Sequence, residues 1–176
     1  MQVRYPAISV VLHWLMVVLI VAVYITMEFR GIYERGSAER NLMMYSHYLL
    51  GLSIWLLVFF RALIRLLTPT PERENYGKFQ QVSARLMFLA LYALMILMPV
   101  LGWATVSAEG KSVEILGWQL PMLIGENKDL AHQIEDIHVA IGKFGYFLIG
   151  VHSLAALYHH FVKRDQTLLR MLRIKD

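Results

Sequence analysis

The apolar run Ile137–His152 constrains this chain more than any other stretch, because it carries two histidines, His138 and His152, fourteen residues apart. A run this apolar and this long is expected to cross a bilayer as a helix, where every backbone group must be satisfied internally. At ~100° and ~1.5 Å per residue, fourteen steps return to within ~40° of the start and climb ~21 Å. Both imidazoles therefore leave one helix on nearly the same face, at two depths. Gly145 lies midway and adds no side chain to that face.

Three further runs of the same character precede it. We expect spans over about Ile8–Phe29, Leu42–Leu67, Phe79–Val106 and Leu130–Val162, a single domain over residues 1–176. The chain is 57% hydrophobic and only 17% charged, with a mean hydropathy of +0.50, where a soluble domain carries about a quarter charged residues. The first span is too long for the h-region of a signal peptide, has no small-residue cleavage site after it and carries His13, so it is read as part of the bundle. Thr68-Pro69-Thr70-Pro71 stops the second span, since proline cannot continue a helix. Pro99 falls inside the third, where a kink is expected. Between spans three and four, Ser112–Pro121 alternates on either side of Gly117 and suggests a short hairpin.

Lys and Arg set the orientation. The N-terminus, the link between spans two and three and the C-terminus carry Arg4, Arg61, Arg65, Arg73 and the basic tail, against Arg30, Arg35, Arg40, Lys111 and Lys128 on the other side. The expected fold is therefore an all-α integral membrane four-helix bundle with both termini cytoplasmic and the hairpin periplasmic.

Histidines inside membrane spans are costly and mark function by default. Topology sorts four of the seven by depth. His13 lies near the inner end of span one and His152 near the inner end of span four. His47 lies near the outer end of span two and His138 near the outer end of span four. Two opposed imidazoles complete the axial sites of a haem, so the quartet predicts two b-type haems, one per pair. There is no cysteine, which excludes iron–sulfur clusters, thiolate zinc sites and covalent haem attachment. Gly51, Gly142, Gly145 and Gly150 are expected to let porphyrin rings approach the backbone.

The remaining polar residues have two readings each. Lys143 either neutralises a propionate or attracts an anion at the outer side, or snorkels to the interface. Arg61 and Arg65 either pair with inner propionates or form a positive flank. His159 and His160 either anchor in headgroups or, for His159, contact the inner haem or a quinone. Tyr5, Trp103 and Tyr158 read as interface-belt aromatics. Nucleotide-binding loops and nucleic-acid patches are not expected.

Ser9-Val10-Val11-Leu12-His13-Trp14-Leu15, Met27-Glu28-Phe29-Arg30-Gly31, Gly145–His152 and His159-His160-Phe161 with Asp165–Met171 together resemble the bacterial cytochrome b561 family over nearly the whole chain. The resemblance implies four helices and two haem b groups, one on His13 and His152, the other on His47 and His138. It also implies a place in a bacterial inner membrane and oxidation of periplasmic superoxide to O₂ with electrons passed to membrane ubiquinone. The outer loops are net acidic, so any attraction of an anion must be local, from Arg30, Arg40 or Lys143. Protons for the quinone would come from the inner face, with His159 the candidate. The alternative is a haem-bearing membrane anchor that accepts electrons from a partner dehydrogenase or hydrogenase. A third reading is a haem-free transporter.

Overall fold

A computed structural model describes residues 5–68 and 76–172. Four long helices dominate it: α1 (Ala7–Arg30), α2 (Ala38–Leu67), α3 (Lys78–Ala108) and α4 (Lys128–Tyr158). All four are long and apolar enough to cross a membrane. α4 runs on into a π-helical turn, His159–Lys163, and a short α5 (Leu169–Leu172) follows. Of the basic residues used for orientation, Arg4, Arg73, Arg173 and Lys175 lie outside the described residues, as do Pro69 to Pro71.

α2 starts four residues earlier than its hydropathy suggests. Ser37 caps it, its hydroxyl accepting from the Arg40 amide at 3.2 Å, and Glu39 places negative charge on the positive end of the helix dipole. The link from α1 shrinks accordingly. Arg40 closes the other side of that link by donating to the carbonyls of Arg30 (3.3 Å) and Tyr33 (3.1 Å) at the end of α1. α3 continues through Pro99 without a break in the helix.

The hairpin between α3 and α4 exists as two short strands, β1 (Glu114–Ile115) and β2 (Trp118–Gln119), paired antiparallel with Ile115 opposite Trp118. Leu116 (φ 53°) and Gly117 (φ 81°) both occupy the left-handed region, the backbone of a two-residue turn whose twist matches the strands. Val113 and Ile115 are buried with Val106, against Tyr48, Leu49, Leu52, Trp103 and Leu120. Trp103, expected in an interface belt, instead packs under this hairpin and donates its indole N–H to the Pro121 carbonyl at 3.0 Å.

The main core sits between α1, α2 and α3: Met16, Ile54 and Val58, flanked by Leu19, Ile20, Tyr92 and Met95. α1 packs along α2, α3 along α4, and α2 against α3; no comparable backbone packing joins α4 to α1 or α2. The molecule is thus two helical hairpins joined along α2 and α3, with α4 standing off from the helices it faces. In lipid, helix association rests on packing and hydrogen bonds, with little hydrophobic drive. What fills the space beside α4 therefore matters for the whole bundle.

Candidate functional site

That space is spanned at two levels by histidines. At the outer level His47 of α2 faces His138 of α4, with ring centres 6.1 Å apart and planes at 68°. At the inner level His13 of α1 faces His152 of α4, with ring centres 6.4 Å apart and planes at 76°. α4 supplies one ring to each level, as its fourteen-residue spacing requires.

The outer rings are oriented by groups that accept hydrogen bonds. His47 Nδ1 lies 3.4 Å from the Val23 carbonyl and 3.3 Å from the hydroxyl of buried Thr26, which itself donates to Val23 at 2.6 Å. His138 Nδ1 is buried and directed to the Met98 carbonyl without a hydrogen bond of good geometry. Gly102 of α3 admits the His138 ring, whose Cε1 would lie 3.3 Å from a Cβ placed there. An N–H at His47 Nδ1 would donate to the Val23 carbonyl and leave Nε2 with a lone pair, the usual state of a metal-binding histidine.

The inner level is different. Arg61 of α2 brings a guanidinium nitrogen to 3.0 Å from His13 Nδ1. A guanidinium can only donate, so here Nδ1 accepts. Arg65, one turn on, is turned aside over the Phe88 ring at 4.5 Å. The structure therefore separates the two arginines that the sequence grouped: only Arg61 reaches a histidine.

Tyr24 occupies the middle. Its hydroxyl donates to the Gly142 carbonyl at 2.8 Å and sits where a side chain on Gly145 would be, with Leu94 alongside. The Tyr24 ring lies 4.3 Å from that of Tyr146, whose hydroxyl donates to Glu28 at 2.6 Å. This corrects one expectation: the bare face of Gly145 receives a tyrosine from α1. A Cβ on Gly142 would meet Met98, while at Gly51 and Gly150 it would meet open space.

A cavity of about 360 Å³ opens beside the outer pair, lined by His47, His138, Gly51, Trp55 and the hairpin residues Val113 and Ile115, together with Glu28, Arg30, Lys143 and Tyr146. Arg30 and Lys143, two of the three substrate-site candidates, thus share this cavity with a histidine pair. Arg40 is not among its lining residues; its guanidinium is spent on the end of α1.

The third candidate, His159, belongs to a separate cluster at the other end of the bundle. It is largely buried, and its Nδ1 meets Asp165 Oδ2 at 2.5 Å. Tyr76 donates to the same carboxylate oxygen at 3.0 Å and stacks edge-on against His159 at 5.1 Å. The Thr167 amide donates to the other oxygen at 2.9 Å. Burial alone would raise the Asp165 pKa, but the hydrogen bonds from His159, Thr167 and Tyr76 outweigh it and hold the carboxyl well below its ordinary range. His159 is thus the ring partner of an ionised aspartate and not a headgroup anchor. Sequence reading missed Asp165 because six helical steps would set it about a third of a turn from His159. The π-helical turn and the left-handed Arg164 (φ 54°) bring it back, and π-turns gather at functional positions. His132 stays exposed near the start of α4, and His160 packs edge-on against Phe161.

The donor set fits haem. An imidazole nitrogen binds a first-row metal at about 2 Å, which puts the ring centres of two opposed ligands roughly 6 Å apart. Both pairs have that separation. Among the described residues no cluster of three or more His, Asp or Glu is arranged to hold a bare metal ion. A porphyrin, which brings its own in-plane nitrogens, needs only the two axial rings.

Comparison with known proteins agrees with this architecture. The chain matches prokaryotic cytochrome b561 over residues 4–173. It is 34% identical to cytochrome b561 homolog 1 of Escherichia coli K12, over 96% of this chain and 97% of the relative. It is 33% identical to the probable superoxide oxidase CybB of Yersinia pestis, over 98% and 97% respectively, and 28% identical to cytochrome b562 of Cereibacter sphaeroides, over 96% and 95%. With four membrane-length helices and a family match over nearly its entire length, the chain belongs to the prokaryotic cytochrome b561 family of electron-transfer membrane proteins.

Proposed function

We propose that this chain is a di-haem electron conduit that oxidises superoxide at the outer face of a bacterial inner membrane and reduces ubiquinone within the bilayer. The observation that carries the reading is the pair of histidine couples 6.1 and 6.4 Å apart, stacked along α4. In this reading His47 and His138 would hold the outer haem b, and His13 and His152 the inner one. Bound haem supplies one-electron redox chemistry at iron; the chain's share is to hold, orient and bury it. The excess of Lys and Arg at the termini and at the α2–α3 link supports a cytoplasmic placement for both ends, with the hairpin in the periplasm.

Two superoxide anions give two O₂, and one quinone takes the two electrons with two protons. Arg30 and Lys143 supply local positive potential beside the outer pair, partly opposed by Glu28. At the inner end Asp165 keeps a proton on His159 Nδ1, leaving Nε2 to exchange protons with a quinone arriving from the lipid. The name of the Yersinia pestis relative, probable superoxide oxidase, supports this choice of donor.

The purified protein tests the reading. Two haems per chain, reduced within a mixing time by a superoxide source and reoxidised by a short-chain ubiquinone, are expected. A colourless protein, or haem that superoxide leaves oxidised, defeats it. One observation favours a second role as a haem-bearing anchor for a partner dehydrogenase or hydrogenase: Leu116 and Trp118 of the hairpin are 75% and 79% exposed, an apolar tip suited to docking. That reading expects haem that is inert to superoxide until a partner is added.

A further inference from the structure

His138 and His152 are fourteen residues apart on α4, and so are His47 and Arg61 on α2. The same helical arithmetic applies to both: ~40° of rotation and ~21 Å of rise. Where α2 presents an imidazole at the outer level, it presents a guanidinium at the inner one. The structure realises this register, with Arg61 on His13 Nδ1 and within electrostatic reach of His152. Arg61 is half-buried. Among the described residues no carboxylate comes within ion-pair distance of it; the phenols of Tyr5 and Tyr92 and the neighbouring Arg65 are its other polar company.

The outer level has a half-buried cation too, Arg30, within electrostatic reach of His47, but its guanidinium bonds Met44 rather than a histidine, and Glu135 acts on His138 with the opposite sign. The charges in the outer cavity are of both signs, Glu28 against Arg30 and Lys143, and Glu28 and Lys143 are exposed. Charges open to solvent are screened, whereas a partly buried one in direct contact with a ring is screened much less. A fixed positive charge beside a redox centre disfavours the form with the more positive iron, and so favours arrival of an electron.

The geometry points to Arg61 as the positioning charge that makes the inner haem site the easier of the two to reduce, giving the electron path its direction from the outer histidines to the inner. The inference rests on the two-haem reading above. One electron moves and no proton is required: the outer site is oxidised by one unit as the inner is reduced by one. Were haem held through His13 Nε2, the ring proton would sit on Nδ1 and the Arg61 guanidinium would need another acceptor. Its charge stays at the inner level, because the register of α2 fixes it there.

The test is a spectroelectrochemical titration of the haem-loaded protein, with Arg61→Gln and Arg61→Lys beside the parent. The parent is expected to give two one-electron waves. Arg61→Gln should lower the higher wave by about tenfold in its reduction equilibrium, ~59 mV for one electron, and leave the lower wave nearly in place. Arg61→Lys should keep most of the parent's separation. Loss of one haem in Arg61→Gln with retention in Arg61→Lys also supports the inference, since the site then needs the charge and not the bulk. Waves unmoved in Arg61→Gln with both haems bound, movement of the lower wave instead, or loss of haem in both variants overturns it. A parent protein without haem fails the two-haem reading itself, so the two failures are distinguishable.

Discussion

The two histidine levels look alike in the separation of their rings and differ in what holds those rings. At the outer level His47 and His138 turn Nδ1 toward backbone carbonyls, with Thr26 as a second brace. At the inner level His13 is met by a charged donor from α2. Carbonyl and hydroxyl partners fix a tautomer and an angle; a guanidinium brings a long-range field as well. The comparison teaches that one helix pattern, repeated every fourteen residues, can build two sites of the same shape and unequal electrostatics.

The largest expected effect breaks the pairing itself. His47→Ala and His13→Ala should each reduce haem content from two per chain to one, measured as haem-to-protein ratio, and the retained haem should differ between them in potential. Equal spectra and potentials for the two remnants would remove the distinction between levels.

Next is the wall between the levels. Gly145→Ala pushes a methyl into the Tyr24 hydroxyl, and overpacking of this kind costs about 1–3 kcal/mol. It should lower the detergent-state Tm, and Tyr24→Phe in the same background should restore part of the loss. Gly51→Ala and Gly150→Ala meet open space and serve as controls for crowding by protein alone. A Gly145→Ala protein as stable as those controls would show that Tyr24 yields freely.

The inner end offers a pH handle. Asp165→Asn should weaken the anchoring of residues 159–172 by about 1–2 kcal/mol, the range for a hydrogen bond to a charged group, read by amide hydrogen exchange in that segment. Folding depresses the Asp165 pKa, so the parent's contribution is complete above the unfolded-state value of about 4. It fades as pH falls below that value, and the Asn variant should lack this acid dependence. Identical exchange in both proteins from neutral pH to pH 3 would sever the His159–Asp165 link.

The smallest effect sharpens the outer brace. Thr26→Val keeps the shape and removes the hydroxyl beside His47, at a cost of about 0.5–1.5 kcal/mol, and should shift only the outer haem's spectrum and potential. A shift in the inner wave instead would put Thr26's influence at the wrong level.

Much of this was readable before any coordinates. Apolar length gave four spans, and Thr68-Pro69-Thr70-Pro71 marked the end of the second, which stops at Leu67. Alternation about Gly117 gave the hairpin. Histidine depth requires only the rise of a helix, so the two levels follow from counting. The spacing of His47 and Arg61 was equally countable but was passed over, because an arginine near the end of a span already had an explanation as topological charge. Contacts that depend on which neighbour fills a gap were not legible: Gly145 advertises room, but nothing local says that Tyr24 of a different helix takes it. Asp165 was hidden for another reason. Its meeting with His159 needs a π-turn and a left-handed residue, and helical periodicity would set the two about a third of a turn apart.

The stand-off of α4 has a mechanical consequence. The bundle is built like a book, with α2 and α3 as the spine and α1 and α4 as the covers. The two phenols act as clasps across the open edge, Tyr24 to Gly142 and Tyr146 to Glu28. A flat, greasy guest entering sideways from the lipid would have to part these phenol contacts while leaving the spine shut. Once inside, a guest gripped by rings of α4 on one side and of α1 or α2 on the other would tie the α4 cover down, so loading and final assembly would become a single event.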